Sequence, residues 1–384
     1  MNSKIPILAF NAIALFEGSD GVKRFATAAA DALSEGPFAN RLQILVPSCR
    51  REQLPDRFRR WAKYFWAPDL PRGAAFLNHF WSNLLSIHLR VNAPGALLYS
   101  PLESYAVIPF PRCAMTAHDC YADRFGDPRK QGRVGLGRRL SVRQLKKSQI
   151  FSVSAFTTRE LDELHQIRGA QVETVLNWLD RDFDYNPTLQ HQNRVRIELK
   201  LPDRFWLYVG GFRINKNLPL LFEAYAATMN KFSDCSPLVI AGRIPETDTV
   251  FNGPFHSAID RHPGLRERIV FPGFIPGEDL ASLYKLSSLV ICPSSYEGFG
   301  FPVIEALAVG APVIAARAAS LVELGLPETN HFCPVNSAEL VALLTQVHLH
   351  GSERFQVPLP EEFLPANGES RFRNAMQRWI GSRS

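Results

Sequence analysis

The sequence predicts a two-domain α/β protein, each domain a doubly wound sheet of parallel strands with helices on its faces. Three observations predict it. Short runs rich in Val, Ile and Leu alternate with helical periods in two separate series. A polar stretch with two prolines divides the series. The 384 residues, 46% hydrophobic and 21% charged, suffice for two cores.

In the first series, residues 5–10, 42–47, 96–99, 113–117, 149–153 and 172–176 read as strands. Their apolar character is continuous rather than alternating, as in parallel strands covered on both faces. Residues 22–33 read as a flanking helix. From 180 to 202 the chain runs DRDFDYNPTLQHQNRVRIELKLP, without a strand pattern, and this is taken as the linker. The second series has strands at 205–211, 237–242, 268–274, 289–295 and 311–316, with helices over 217–229, 279–288 and 302–309. Phe372, Met376 and Trp379 recur at helical spacing within 369–380. The expected division is therefore 1–185, 186–365 and a C-terminal helix, 366–384, packing back on the first domain.

Composition excludes several classes. The six cysteines form no C-x-x-C pair, which argues against a disulfide scaffold or zinc module and for reduced thiols and a cytoplasmic address. The apolar run 5–16 is interrupted by Pro6 and Asn11, too short to span a bilayer and without the flanks of a signal peptide. The net charge of +6 is unevenly shared: residues 1–180 hold 24 basic and 16 acidic side chains, a balance of +8, and the remainder, with 19 and 21, carries −2.

The most informative segment is PSSYEGFGFPVIEALAVGAPV, 293–313. Glu297 follows a strand in a loop whose glycines, Gly298 and Gly300, let backbone N–H groups approach a ligand. A helix follows, with Pro302 suited to its first position and Glu305 expected in its first turn. The positive end of such a helix favours a diphosphate, and a carboxylate there can bridge adjacent hydroxyls. The same pattern also describes an ordinary helix start that recruits acids.

EGFGFPVIEALAVGAPVI resembles the E-x7-E signature of retaining nucleotide-sugar glycosyltransferases of the GT-B fold, the family 4 type of glycosyl transferases group 1. The resemblance extends to YVGGFRINKNLPLLFEAY (208–225) and through 271–306, and thins in the first half to SDGVKRF (19–25), TAHD (116–119), VSAFTTREL (153–161) and VLNWLD (175–180). It implies a GT-B fold: an acceptor-binding N-terminal and a donor-binding C-terminal Rossmann-like domain facing a cleft. Carried onto these residues, it implies that Glu305 binds the nucleotide ribose and Glu297 the transferred sugar. The backbone of Phe299, Gly300 and Phe301 reaches sugar hydroxyls, and Lys216 grips the diphosphate. Where many members carry an arginine after the first glycine of the 208–225 motif, this chain has Gly211, and Arg213 is the candidate substitute. His118, with Asp119 beside it, matches the pair next to the sugar. Gly21 matches a glycine-bearing loop near the donor phosphates, although Ser19 or Asp20 capping a helix explains that turn equally well.

The family's reaction retains anomeric configuration, without metal or cofactor, the nucleoside diphosphate sugar being a co-substrate. GDP-mannose is the preferred donor and a glycan or polyprenyl-linked molecule the expected acceptor, in bacterial-type surface polysaccharide synthesis. Two alternatives stay open: an inactive sugar-nucleotide-binding scaffold, kept alive by Gly211, and a sugar-nucleotide epimerase. Two basic segments, 49–66 with interleaved aromatics and 129–147 with eight basic residues in nineteen, suggest peripheral attachment to an anionic membrane, on the inner face of the cytoplasmic membrane. No nucleic-acid-binding motif accompanies them, so no nucleic acid partner is expected.

Overall fold

The structure, a computed structural model, describes residues 6–17, 19–69, 75–103, 108–110, 112–126, 133–249 and 253–382, without the side chains of 75–79 and 133–138. It divides into two compact units, Met1–Arg181 with Leu364–Ser384, and Asp182–Phe363. Arg181, the last residue of the first segment, ties its guanidinium to Glu35 at 2.5 Å and to Glu369, both of the first unit.

The first unit is built on seven parallel strands: β1 Leu8–Asn11, β2 Leu42–Pro47, β3 Ala62–Phe65, β4 Leu97–Ser100, β5 Cys113–Ala117, β6 Gln149–Ser152 and β7 Val172–Thr174. Their order is β3-β2-β1-β4-β5-β6-β7, reversing between β1 and β4 as in a doubly wound sheet. All four residues of β1 are buried, which its unbroken apolar sequence requires. One strand was hidden: β3 lies inside the basic segment 49–66 and pairs with β2 from Ile44↔Ala62 to Pro47↔Phe65.

The helix Pro365–Gly381 closes this unit. Phe372, Met376 and Trp379 are buried among Phe10, Phe25, Tyr99, Phe151 and Trp178. The Phe372 ring centroid lies 5.1 Å from that of Tyr99 and 5.7 Å from that of Trp178. The helix approaches so closely that a Cβ on Gly368 would sit 2.2 Å from the Trp178 side chain.

The second unit has six parallel strands: β8 Trp206–Val209, β9 Leu238–Ala241, β10 Ile269–Gly273, β11 Leu289–Cys292, β12 Val313–Ala316 and β13 His331–Phe332. The order is β10-β9-β8-β11-β12-β13, with the reversal between β8 and β11. The strand β13 and three helices were not foreseen, the short Phe255–Asp260 among them. Leu189–Glu198 occupies the stretch read as a linker, because its stripe is polar: His191 Nε2 donates to Asp279 Oδ1 at 2.9 Å and Arg194 pairs with the same carboxylate. Ser337–His350 buries Leu340, Leu344 and Val347.

Candidate active site

Ligands of doubly wound sheets bind beyond the carboxyl ends of the strands where the order reverses. In the second unit those strands are β8 and β11, paired at Leu289↔Trp206 and Val290↔Leu207. The chain leaving β8 carries Gly211, Arg213 and Lys216; the chain leaving β11 carries Glu297 to Phe301. Strand adjacency therefore brings together two motifs some eighty residues apart in sequence.

The loops are sewn to one another. Asn215, buried at 5%, donates Nδ2 to the Tyr296 carbonyl at 2.7 Å, and Ser295 N–H donates to the Asn215 carbonyl at 2.8 Å. Lys216 ends the short turn Ile214–Lys216, and its Nζ reaches Glu297 Oε1 at 2.5 Å, both side chains more than four-fifths buried. With both side chains largely out of water, each charge depends on the other for compensation. Beneath it, Tyr208 donates its hydroxyl to the Gly211 carbonyl at 2.6 Å, and burial followed by the Glu297 charge raises its pKa, keeping the phenol a donor. Burial, with Glu297 near, pushes the Cys292 thiol up to about 12.

Gly300 has φ +111°, and a Cβ there would lie 2.7 Å from Leu321 and 2.9 Å from Leu324; glycine is required on both counts. The Phe299 ring is packed against Phe301 and Phe363, with centroids at 5.3 and 5.7 Å. Its carbonyl faces inward and accepts from Ser320 Oγ at 2.7 Å, so that oxygen is turned to the protein and not to a sugar.

Two placements on the following helix differ from expectation. The helix runs Phe301–Ala308, so Pro302 is its second residue and Glu305 its fifth, in the second turn rather than the first. Glu305 is 3% exposed and accepts from the Tyr284 hydroxyl at 2.9 Å. The carboxylate is a braced, desolvated acceptor, not an exposed N-terminal charge. Arg213 is exposed at the start of the Lys216 turn.

His118 and Gly21 belong to the first unit. His118 follows β5, its Nε2 2.8 Å from the Pro101 carbonyl, which assigns the proton to Nε2 and leaves Nδ1 an acceptor. Burial holds its pKa below the ordinary 6.5, the Pro101 carbonyl and Asp119 pulling the other way. Asp119 caps its own turn, accepting from Tyr121 N–H at 3.0 Å. Gly21 lies in the first turn of the helix Asp20–Ser34; Ser19 is at the cap position but makes no side-chain capping bond. The same helix sends Phe25 edge-on against the His118 ring at 5.0 Å, so the structure brings the Gly21 helix and His118 together. Asn11, at the end of β1, donates to Ser100 Oγ at 3.0 Å, and Ser100 donates to the Leu102 carbonyl at 2.7 Å, fixing the segment that holds His118.

None of the six cysteines forms a disulfide. Among the described residues one cluster has metal-ligand chemistry, Cys120, Asp123 and His165, and there His165 Nε2 is hydrogen-bonded to Asp123 Oδ2 at 3.0 Å. No described helix is long and apolar enough to cross a membrane. In the segment 49–66, Arg50 is buried and paired with Asp69 at 2.9 Å, Phe58 and Phe65 are core, and Arg60 covers the Trp61 ring at 3.7 Å. Arg51, Arg59, Lys63 and Trp66 are exposed, Trp66 at 71%. Of the second basic segment, 129–132 lie outside the described residues; Arg139, Arg143, Lys146 and Lys147 are exposed.

Residues 190–354 match the family described as glycosyl transferases group 1. An uncharacterised glycosyltransferase of Methanocaldococcus jannaschii is 28% identical over 185 residues, 47% of this chain and 45% of that protein. The serotype-specific mannosyltransferase WbdA of Escherichia coli is 29% identical over 181 residues, 46% of this chain and 21% of WbdA. The chain thus spans less than half the length of these curated relatives. Among solved structures, HepE of Anabaena in complex with UDP-glucose is similar at a TM-score of 0.69 and 16% identity, over 97% of this chain and 99% of that one. The two Rossmann-like units have the GT-B fold, shared with sucrose-phosphate synthase of Thermosynechococcus elongatus (TM-score 0.68, 17% identity) and with WaaG (TM-score 0.66, 15% identity). The stretch that matches glycosyl transferases group 1, residues 190–354, thus includes the paired Lys216 and Glu297 at the strand reversal.

Proposed function

We propose that the protein is a glycosyltransferase that moves a hexose from a nucleoside diphosphate sugar to a glycan or polyprenyl-linked acceptor with retention of configuration. Mannose from GDP is the preferred donor. The observation that carries this reading is the Lys216–Glu297 pair, held at 2.5 Å beside a loop whose Gly300 has a positive φ and before a helix whose buried Glu305 is braced by Tyr284. WbdA's name as a mannosyltransferase, and the UDP-glucose in the HepE structure, support the donor class.

In this reading Glu305 accepts from ribose hydroxyls and Glu297 from a hydroxyl of the sugar. Lys216 turns to the diphosphate, where negative charge grows as the bond to the anomeric carbon breaks. Arg213 stands in for the arginine replaced by Gly211. The acceptor oxygen attacks from the face the diphosphate leaves, and its proton passes to the departing phosphate oxygen, so no protein base is required. His118, neutral and with Nδ1 an acceptor, orients a sugar hydroxyl. Positioning and charge stabilisation carry the rate, without a metal.

The test is transfer from GDP-mannose and UDP-glucose to a polyprenyl diphosphate-linked glycan. Lys216→Ala and Glu297→Ala are each expected to lose about a hundredfold or more in turnover, measured at a temperature where circular dichroism shows each variant folded. Unimpaired turnover in both rejects the assignment. Gly211 favours a second reading, a sugar-nucleotide-binding scaffold: binding of both donors with neither transfer nor hydrolysis selects it.

For location we propose the inner face of the cytoplasmic membrane. Support comes from Trp66, Arg51, Arg59 and Lys63, all exposed within the segment 49–66, each cation contributing about 1 kcal/mol near an anionic surface. Co-sedimentation with vesicles of 30% phosphatidylserine is the measurement; no binding at 0.15 M salt refutes the attachment.

A further inference from the structure

The segment after β12 shapes the loop that carries Glu297. Ala319 has φ +51°, a left-handed conformation that residues with a side chain rarely adopt, and Ser320 beside it is wholly buried at 0%. Ser320 Oγ lies 2.7 Å from the Phe299 carbonyl oxygen and 2.9 Å from that of Glu297. A hydroxyl has one hydrogen to give, so two carbonyls converge on a single donor. Leu321 and Leu324, from the same segment, fill the space that a side chain at 300 would need. Backbone strain at Ala319 is thus coupled to a hydroxyl that two loop carbonyls share.

A trans peptide sets its N–H opposite its C=O. Turning the Phe299 carbonyl toward Ser320 therefore turns the Gly300 N–H away from it. Turning the Glu297 carbonyl the same way fixes the backbone from which the Glu297 carboxylate extends to Lys216. Glu305 lies a full turn into the next helix, and its hydroxyl partner is Tyr284, on a different helix. The two ends of the loop and helix are thus held by different contacts.

We infer that Ser320 is a positioning residue for the sugar end of the donor: its hydroxyl aims the Gly300 N–H and the Glu297 carboxylate at the hexose, and the nucleotide end does not depend on it. This rests on the donor-site reading above. Calorimetric titrations compare GDP with GDP-mannose, and UDP with UDP-glucose, on the full chain.

In Ser320→Ala the affinity for the nucleoside diphosphate is expected to stay within about twofold of the wild type. The ratio of sugar-nucleotide to diphosphate affinity is expected to fall about tenfold, the loss of one well-aimed hydrogen bond. Ser320→Thr, which keeps the hydroxyl, is expected to regain the ratio. An unchanged ratio in a folded Ser320→Ala, or an equal loss for diphosphate and sugar nucleotide, overturns the inference. Where Ser320→Ala melts too early to titrate, the isosteric, weaker donor in Ser320→Cys is measured the same way. A partial fall supports the inference and an unchanged ratio overturns it. A wild type that binds none of the four probes fails differently, by removing the donor site itself.

Discussion

Glycine at 211 and glycine at 300 differ in what they allow. A Cβ at Gly211 would meet nothing within 4 Å, whereas one at Gly300 would collide with two leucines in a backbone conformation with positive φ. Gly211→Arg is therefore expected to fold normally and to tighten GDP and UDP binding about tenfold, one charge-assisted contact being worth roughly 1.5 kcal/mol; calorimetry reads it. Gly300→Ala is expected to cost about 1–3 kcal/mol of stability, seen in urea unfolding. Both glycines are visible in the sequence, but only one is conformationally required, and nothing in the letters separates them. Lys216 and Glu297 were each singled out by the motifs that carry the family resemblance, but their direct ion pair was not foreseen. Tyr284 and Ser320 were not singled out: each acts across twenty-odd residues of chain, and Ser320 lies in a plain stretch, AARAASLVEL, that carries no pattern.

At the scale of elements, apolar runs announced the strands and amphipathic spacing announced the helices, while elements whose burial is partial or polar stayed hidden. β3 is an edge strand with Lys63 exposed and only Phe65 fully inside, so its neighbours' arginines dominate the reading. The helix Leu189–Glu198 is held by His191 and Arg194 on Asp279 rather than by an apolar stripe, and periodicity cannot see that. The C-terminal helix shows the opposite case, three large side chains at helical spacing. Phe372→Ala should cost about 3–5 kcal/mol, since it empties a cluster of five aromatic rings. Gly368→Ala should also destabilise, by steric overlap with Trp178 alone. Denaturant midpoints of the two variants, with slopes unchanged, check both.

For the molecule as a whole, three imidazoles shape the response to acid, His331 buried and His88 and His118 partly so. Burial lowers the pKa of His118 and His331 below 6.5, and that of His88 likewise. Below that value the unfolded chain takes up protons that the folded chain refuses, so stability rises with pH through this range and is lost on acidification. The melting temperature is expected to be flat from pH 8 to about 6.5 and to fall below it. His118→Gln should flatten that fall.

The first unit draws its last hydrophobic side chains from residues 364–382, which follow the second unit in sequence. During synthesis the amino-terminal sheet therefore lacks these side chains until Asp182–Phe363 has been made. A chain truncated before Leu364 is expected to leave Phe10, Phe25, Tyr99 and Trp178 less covered, which faster limited proteolysis of the first unit would report.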